Sequence, residues 1–358
     1  MKALIVITGR GLGGDASNAL NLIKTLEKRD IKCEIALDSS APGILFKKNG
    51  YSWHKIKIPQ AGGHAVTKKN TIKAALKMIT AVFKIRSLIK KIKPDIVVGV
   101  IGGGAVVGCV GAKITNVPAV GIIDTPLDTA VCSRLNRCII LPEHQMFKNE
   151  TLPPNLERAF FLMNNDFSKG DKNKALKLIK ESAEKNNYIF DENKKTILFS
   201  SGSSLFELMA KAVSDFAEEN DDYNIVLIGI PLKEEYNKLL DNKKIINLKY
   251  INWVKDLYEY VDLAVLTDDG LMIQEAVAFE LPSVALTRVK YGRYHNMEGI
   301  YKGAILESEF DELNEKIQEA LDNLDKLSEK SKKYSKEIFK TNDKVADIII
   351  EEYEKNKK

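Results

Sequence analysis

The stretch VKDLYEYVDLAVLTDDGLMIQEAVAFELP, residues 254–282, decides the reading of the fold. It runs as helix, strand, tight loop, helix. Residues 263–266 are a short apolar run with the length of a buried strand, and Thr267-Asp268-Asp269-Gly270 breaks it with turn residues. A second helix follows, with Ile273, Ala276, Val277 and Leu281 facing inward and Pro282 closing it. Glu275 stands about one turn into that helix, near the end of the strand. In an open α/β sheet, ligands bind at the carboxyl ends of the strands. A carboxylate there can accept two hydrogen bonds from a sugar diol. On an isolated helix the same residue is a solvated Glu.

The stretch resembles the nucleotide-sugar half of GT-B glycosyltransferases, most closely the MurG-type N-acetylglucosaminyltransferases. That family carries I-x-x-M-x-x-x-Y-x-x-A-D, a strand, then S-G-A-L-T-x-x-E. Ile251, Tyr258 and Asp262 keep this register, and Glu275 falls on the family's ribose-binding Glu. Asp268-Asp269-Gly270 replaces Ser-Gly-Ala, and Met272 replaces Thr. The resemblance implies an α/β chain of the GT-B class: two Rossmann-like domains facing a central cleft. The boundaries expected are residues 1–163 for the acceptor and 164–340 for the nucleotide sugar. A terminal helix over 341–358 packs back on the first domain.

A length of 358 residues suits two domains with separate cores. A composition 44% hydrophobic and 29% charged is that of a soluble globular protein. No secretory signal follows Met1-Lys2. The uncharged run 96–112 is broken by six glycines, which argues for strand, loop and buried helix instead of a membrane span. Cys33, Cys109, Cys132 and Cys138 have no metal-binding or redox spacing, so buried thiols in a reducing cytoplasm are expected.

Residues 2–8 read as a strand and GRGLGGD (9–15) as a loop opening a helix; a second strand, 32–37, ends at Asp38. Gly9, Gly11 and Gly14 keep G-x-G-x-x-G spacing with an acid after strand two, which fits a dinucleotide site. The same loop resembles the MurG-type G-G-T-G-G-H, with Gly13-Gly14-Asp15 over Gly-Gly-His. That places Asp15 as the catalytic base and Gly13 and Gly14 at the acceptor; Asp15 as a plain helix cap is the alternative. KPDIVVGVIGGG and GAKITNVPAVGIID resemble the family's second glycine loop and next strand. Gly102, Gly103, Gly104 and Asp124 join the acceptor side on that basis.

Residues 65–94 hold nine Lys or Arg and no acid. On a helix, Lys73, Lys77, Lys84 and Lys91 fall within roughly 40° of one another. Ile72, Leu76, Ile79 and Phe83 form one apolar stripe, and Met78, Val82, Ile85, Ile89 and Ile92 another. One stripe can face the core while the other lies beside the lysines, which suits an anionic membrane surface. A solvated basic face fits the same pattern. Nucleic acid is not expected, since aromatic residues and nucleic-acid motifs are lacking here.

In the carboxyl-terminal half, residues 196–199 form a strand and Ser200-Ser201-Gly202-Ser203-Ser204 a loop before a helix from Leu205. This resembles the family's G-G-S-Q-G-A and suits a diphosphate through backbone amides and the positive helix end. Gly202, Ser203, Ser204, Ile251, Gly270, Leu271, Glu275 and Asn296 are therefore the expected donor contacts. Asn296 aligns with the last residue of the Q-Q-x-x-N motif, while Gly292 and Arg293 stand in for its glutamines. A Lys/Glu-rich helix is expected from 307 onward. No Asp-x-Asp, His-Glu-x-x-His or Gly-x-Ser-x-Gly occurs. The implied reaction is an inverting, metal-free transfer of an N-acetylhexosamine from UDP to a lipid-linked acceptor. It requires no cofactor, and UDP leaves against the helix dipole. The enzyme is placed in the cytoplasm, peripherally on the membrane. A UDP-N-acetylglucosamine 2-epimerase, suggested by LTDDGLMIQEA, is the runner-up, and a non-catalytic GT-B subunit the third reading.

Overall fold

The computed structural model describes residues 1–9, 14–59, 68–149, 151–164, 169–290 and 295–357, with backbone only over 68–76. The chain forms two compact units, Met1–Asn164 with Lys340–Lys358, and Asn165–Phe339.

The first unit alternates strands and helices. They are β1 (Lys2–Ile7), α1 (Gly14–Glu27), β2 (Lys32–Asp38), α2 (Ile44–Lys48), β3 (His54–Ile56), α3 (Lys68–Ile92), β4 (Ile96–Val100), α4 (Gly102–Thr115), β5 (Ala119–Ile123), α5 (Pro126–Cys132), β6 (Arg137–Ile140) and β7 (Leu156–Arg158). All pairings are parallel, in the order β3-β2-β1-β4-β5-β6-β7. Helices cover both faces of such a sheet, so its strands are continuous apolar runs. Val97, Val98, Val100 and Ile122 are fully buried accordingly. Nothing in the sequence announces β3, β6 or β7, which are three or four residues long.

The second unit holds α6 (Lys172–Asn186), β8 (Thr196–Leu205), α7 (Glu207–Glu219), β9 (Asn224–Pro231), β10 (Ile245–Lys249), α8 (Val254–Tyr260), β11 (Leu263–Thr267), α9 (Leu271–Ala278), β12 (Ser283–Leu286), α10 (Met297–Ile300), β13 (Ile305–Ser308), α11 (Leu313–Asp322) and α12 (Leu324–Lys357). Its sheet is also parallel, in the order β10-β9-β8-β11-β12-β13. Each sheet starts in the middle, winds outward, then returns beside its first strand and winds the other way. That reversal opens a crevice at the carboxyl ends, between β1 and β4 in one sheet and β8 and β11 in the other.

Two expectations need correction. The serine stretch does not open a helix at Leu205: β8 continues through it, Ser204 and Leu205 pairing with Ile230 and Pro231 of β9, and α7 starts at Glu207. The carboxyl-terminal region does not begin as a helix at 307, because Ile305–Ser308 pairs with β12 as the edge strand β13. The end of α12 packs within the first unit. Asn342 Nδ2 donates to the Met163 carbonyl at 2.6 Å, and Arg29 pairs with Asp343 at 2.8 Å and with Asp347. Buried Asn18 holds the same segment to α1 by accepting from Leu162 N–H at 2.7 Å.

Candidate functional site

A pocket of about 170 Å³ lies at the carboxyl ends of β8, β9 and β10. Gly202 and Ser203 form one wall, Lys249, Tyr250 and Ile251 another, and Met272 and Glu275 of α9 a third. Three local features shape it. Gly229 has φ 126°, and a side chain there would meet the Gly202 carbonyl at 3.0 Å, so only glycine lets β9 close against the serine loop. A bulge between Asn247 and Lys249 turns the end of β10, with Lys249 at φ 56° and its N–H donating to Asn247 Oδ1 at 3.1 Å. Met272 Sδ then contacts Ser200 Oγ at 3.4 Å, joining α9 to the end of β8.

Glu275 has access to the pocket while its carboxyl is enclosed by protein. Burial pushes its pKa up to about 8, against the pull of the neighbouring Tyr258 hydroxyl. At neutral pH it is therefore mainly a carboxylic acid, able to donate as well as accept toward a diol. The Tyr258 phenol, itself buried, is driven well above its ordinary range by burial and by Glu275. Its ring packs on Phe279 at 5.6 Å. Asp262, the other residue of that motif, works at the opposite end of the sheet, where its carboxylate accepts from Thr196 N–H at 2.8 Å.

Next to the pocket, the loop after β11 carries two buried acids, Asp268 and Asp269. Asp268 accepts from the His295 N–H at 2.9 Å, and burial raises its pKa above the usual carboxylate range. Asp269 Oδ1 lies 2.6 Å from Lys290 Nζ and accepts from Thr267 Oγ1 at 3.3 Å.

Of the expected donor residues, Gly202, Ser203, Ile251 and Glu275 line this one pocket; Ser204, Gly270 and Leu271 flank it in sequence. The Asn296 side chain caps α10 by accepting from Gly299 N–H. Gly292 and Arg293 lie outside the described residues, as do Gly13 and the Lys73 side chain. The pocket residues that motif reading misses are Ile228, Gly229, Lys249, Tyr250 and Val254. A lysine at positive φ carries no local sequence signal.

In the first unit, Asp15 accepts from Gly9 N–H at 2.7 Å and from Ala16 N–H at 2.8 Å, so both oxygens hold backbone on either side of it. Gly14 begins the helix and is exposed. Asp38, needed for a dinucleotide ribose, is buried and bonded to Ile58 N–H at 2.8 Å and to the Ser40 hydroxyl. The dinucleotide reading loses its acid. Gly103 and Gly104 serve packing: a side chain would strike the Pro59 carbonyl at 2.6 Å or Ile7 Cα at 2.8 Å. Gly102 is half-buried with open space beside it. Asp128, absent from the motif reading, is buried and accepts from Gly102 N–H at 2.6 Å, Thr125 N–H at 2.9 Å and Asp124 N–H at 3.3 Å. It thus ties Asp124 and the second glycine loop together.

Helix α3 sets Ala81, Ile85 and Ile89 in the core, with Met78, Val82 and Ile92 packed against them. Of the other stripe, the Ile72 and Leu76 side chains lie outside the described residues. Ile79 and Phe83 are 55% and 60% exposed beside exposed Lys77, Lys84 and Lys91. Among the described residues no helix is long and apolar enough to cross a membrane, and no side-chain group is arranged to hold a metal.

Two family models match the chain: the glycosyltransferase family 28 N-terminal domain over residues 5–120, and the glycosyl transferases group 1 domain over residues 180–338. The UDP-N-acetylglucosamine--N-acetylmuramyl-(pentapeptide) pyrophosphoryl-undecaprenol N-acetylglucosamine transferase of Finegoldia magna is 26% identical over 92% of this chain and 94% of its own. Among solved structures, MurG of Acinetobacter baumannii superposes with a TM-score of 0.70 at 17% identity, over 98% and 99% of the two chains. The UDP-GlcNAc 2-epimerase of Neisseria meningitidis reaches 0.66 at 14% identity, over 99% and 100%. Both structural likenesses are likenesses of fold.

Proposed function

We propose that this chain, a GT-B glycosyltransferase resembling the MurG type, moves N-acetylglucosamine or a related N-acetylhexosamine from UDP to a lipid-linked acceptor, inverting the anomeric carbon. The observation that carries the reading is the pocket joining Gly202 and Ser203, Ile251 and Glu275 at the strand ends. The uracil lies against Tyr250 and Ile251, and the ribose diol bonds to Glu275. The diphosphate lies beside the Gly202–Ser203 wall. The chemistry runs without a metal, the departing charge being met by fixed donors. As the acceptor hydroxyl attacks, its proton passes to a base. Asp15 takes that role in this reading, through lone pairs beyond those held by Gly9 and Ala16.

The epimerase reading uses the same nucleotide pocket, but neither family model that matches the chain describes an epimerase. The two reactions part at the product. Incubation with UDP-N-acetylglucosamine and a lipid-linked sugar acceptor should release UDP and lengthen the acceptor. Formation of the 2-epimer without acceptor would replace the transferase reading. Calorimetry showing NADH binding and no affinity for UDP would remove both.

The lipid-linked acceptor brings α3 to an anionic membrane surface. Each lysine near such a surface contributes about 1 kcal/mol, and the exposed Ile79 and Phe83 add burial. Wild-type protein should co-sediment with anionic vesicles at low salt and be released as salt rises. The Lys77→Glu/Lys84→Glu/Lys91→Glu variant should stay in the supernatant. Wild type in the supernatant at low salt would make a soluble acceptor the better reading.

A further inference from the structure

We propose that Lys290 is a binding residue for the diphosphate of the nucleotide donor, held in place by Asp269 across the β8/β11 crevice. The inference rests on the nucleotide-sugar reading above and adds a residue that neither the motifs nor the pocket lining identify.

Position is the first argument. Lys290 follows β12, yet its ammonium lies 2.6 Å from Asp269 Oδ1 in the loop after β11 and 5.5 Å from the ring centre of Phe206, the residue that heads α7 after β8. It therefore bridges the loops after β8 and β11, the strands where the winding of the sheet reverses. Ligand diphosphates lie in that crevice in sheets of this order. The Gly202–Ser203 wall of the pocket belongs to the same β8 segment.

Charge is the second. Asp268 and Asp269, both almost wholly buried, crowd this end of the sheet. A diphosphate adds further negative charge to the same space. Lys249 lies at the β10 side of the pocket, and Arg288 is 68% exposed on its way to Glu309. Among the described residues, Lys290, with its side chain 22% exposed, is the cation that bridges the loops after β8 and β11. A lysine ammonium has three donors. One is directed at Asp269, and the aromatic face of Phe206 favours the charge without occupying a donor. Remaining exposure gives a phosphate oxygen access. Asp269 holds the ammonium in position.

The test is calorimetry with UDP and with uridine on the full chain. Lys290→Met should weaken UDP by about 10- to 100-fold, the range for a lost hydrogen bond to a charged group, and leave uridine within about twofold. Lys290→Arg should restore most of the UDP affinity. Removing Lys290 strands a buried carboxylate, which can unfold the loop. The Lys290→Met/Asp269→Asn double variant avoids this and should show the same loss for UDP alone. Equal weakening of UDP and uridine, or no change in either, in the folded double variant overturns the proposal. Wild type that binds uridine no better than adenosine overturns the nucleotide reading beneath it, a distinguishable failure.

Discussion

Both sheets wind in the same order, yet their carboxyl edges handle acids differently. In the first unit the edge carboxylates close upon the protein's own backbone: Asp15 on Gly9 and Ala16, Asp38 on Ile58, Asp128 on Gly102, Thr125 and Asp124. In the second, Glu275 is enclosed with a phenol for company and faces a pocket. Asp128 and Glu275 make the contrast sharpest. Burial raises both, but three backbone donors hold Asp128 back, while Glu275 rises to about 8. A shared topology thus sets where a site can form. Whether it forms depends on how many backbone donors the loops supply to the acids there.

Asp15 offers the strongest way to break this comparison. If it is the base, Asp15→Asn should lower turnover by about 10² with UDP affinity unchanged, since a base acts in the transition state. Steady-state kinetics beside UDP calorimetry decides it. Unchanged turnover with a lowered melting temperature would leave all three first-unit acids as anchors.

Glu275 tests the other side. Glu275→Ala should weaken UDP by about 1–3 kcal/mol by leaving the ribose hydroxyls unpaired. Glu275→Gln keeps a donor and an acceptor and should lose much less. Equal losses in calorimetry would mean that the ionised form binds.

Gly104→Ala sharpens the contrast from the packing side. The new methyl would strike Ile7 Cα and the Val6 carbonyl at 2.8 Å, which should cost about 1–3 kcal/mol of stability. Thermal melts should record that loss, while UDP affinity of the folded protein stays the same. Altered UDP affinity would implicate this loop in the donor site.

A pH slope tests Glu275 without any ligand. A carboxyl raised to about 8 when folded, from 4.5 when unfolded, binds its proton more tightly in the native state. Its contribution to stability is complete below the unfolded value and is lost as pH rises through about 8. Wild type should therefore lose melting temperature relative to Glu275→Gln between about pH 5 and 8. A difference between the two that does not change with pH would place the Glu275 pKa near its ordinary value.

Much of the architecture is legible without coordinates. Strands buried on both faces must be continuous apolar runs, so residues 96–100 and 263–266 announce themselves, as do the turn residues after them. The spacing from Asp262 to Glu275 locates one wall of the pocket. What reads badly are short edges and backbone exceptions. Ile305–Ser308 looks like the start of a charged helix because its strand character comes only from pairing with β12. Ser200–Leu205 looks like a helix cap because serines favour caps, but pairing with β9 prevails.

By itself, then, the sequence determined two wound α/β units, through local periodicity and turn chemistry. Glu275 as a ribose contact came from the family resemblance alone. Only the tertiary structure decided which acids anchor loops and which face a pocket. Gly102 meets Asp128 across 26 residues, Leu162 meets Asn18 across 144, and Lys290 reaches Asp269 and Phe206 from a different strand end. A buried carboxylate takes its character from the donors the fold brings to it, and those donors are mostly backbone N–H groups, which are the same in every non-proline residue.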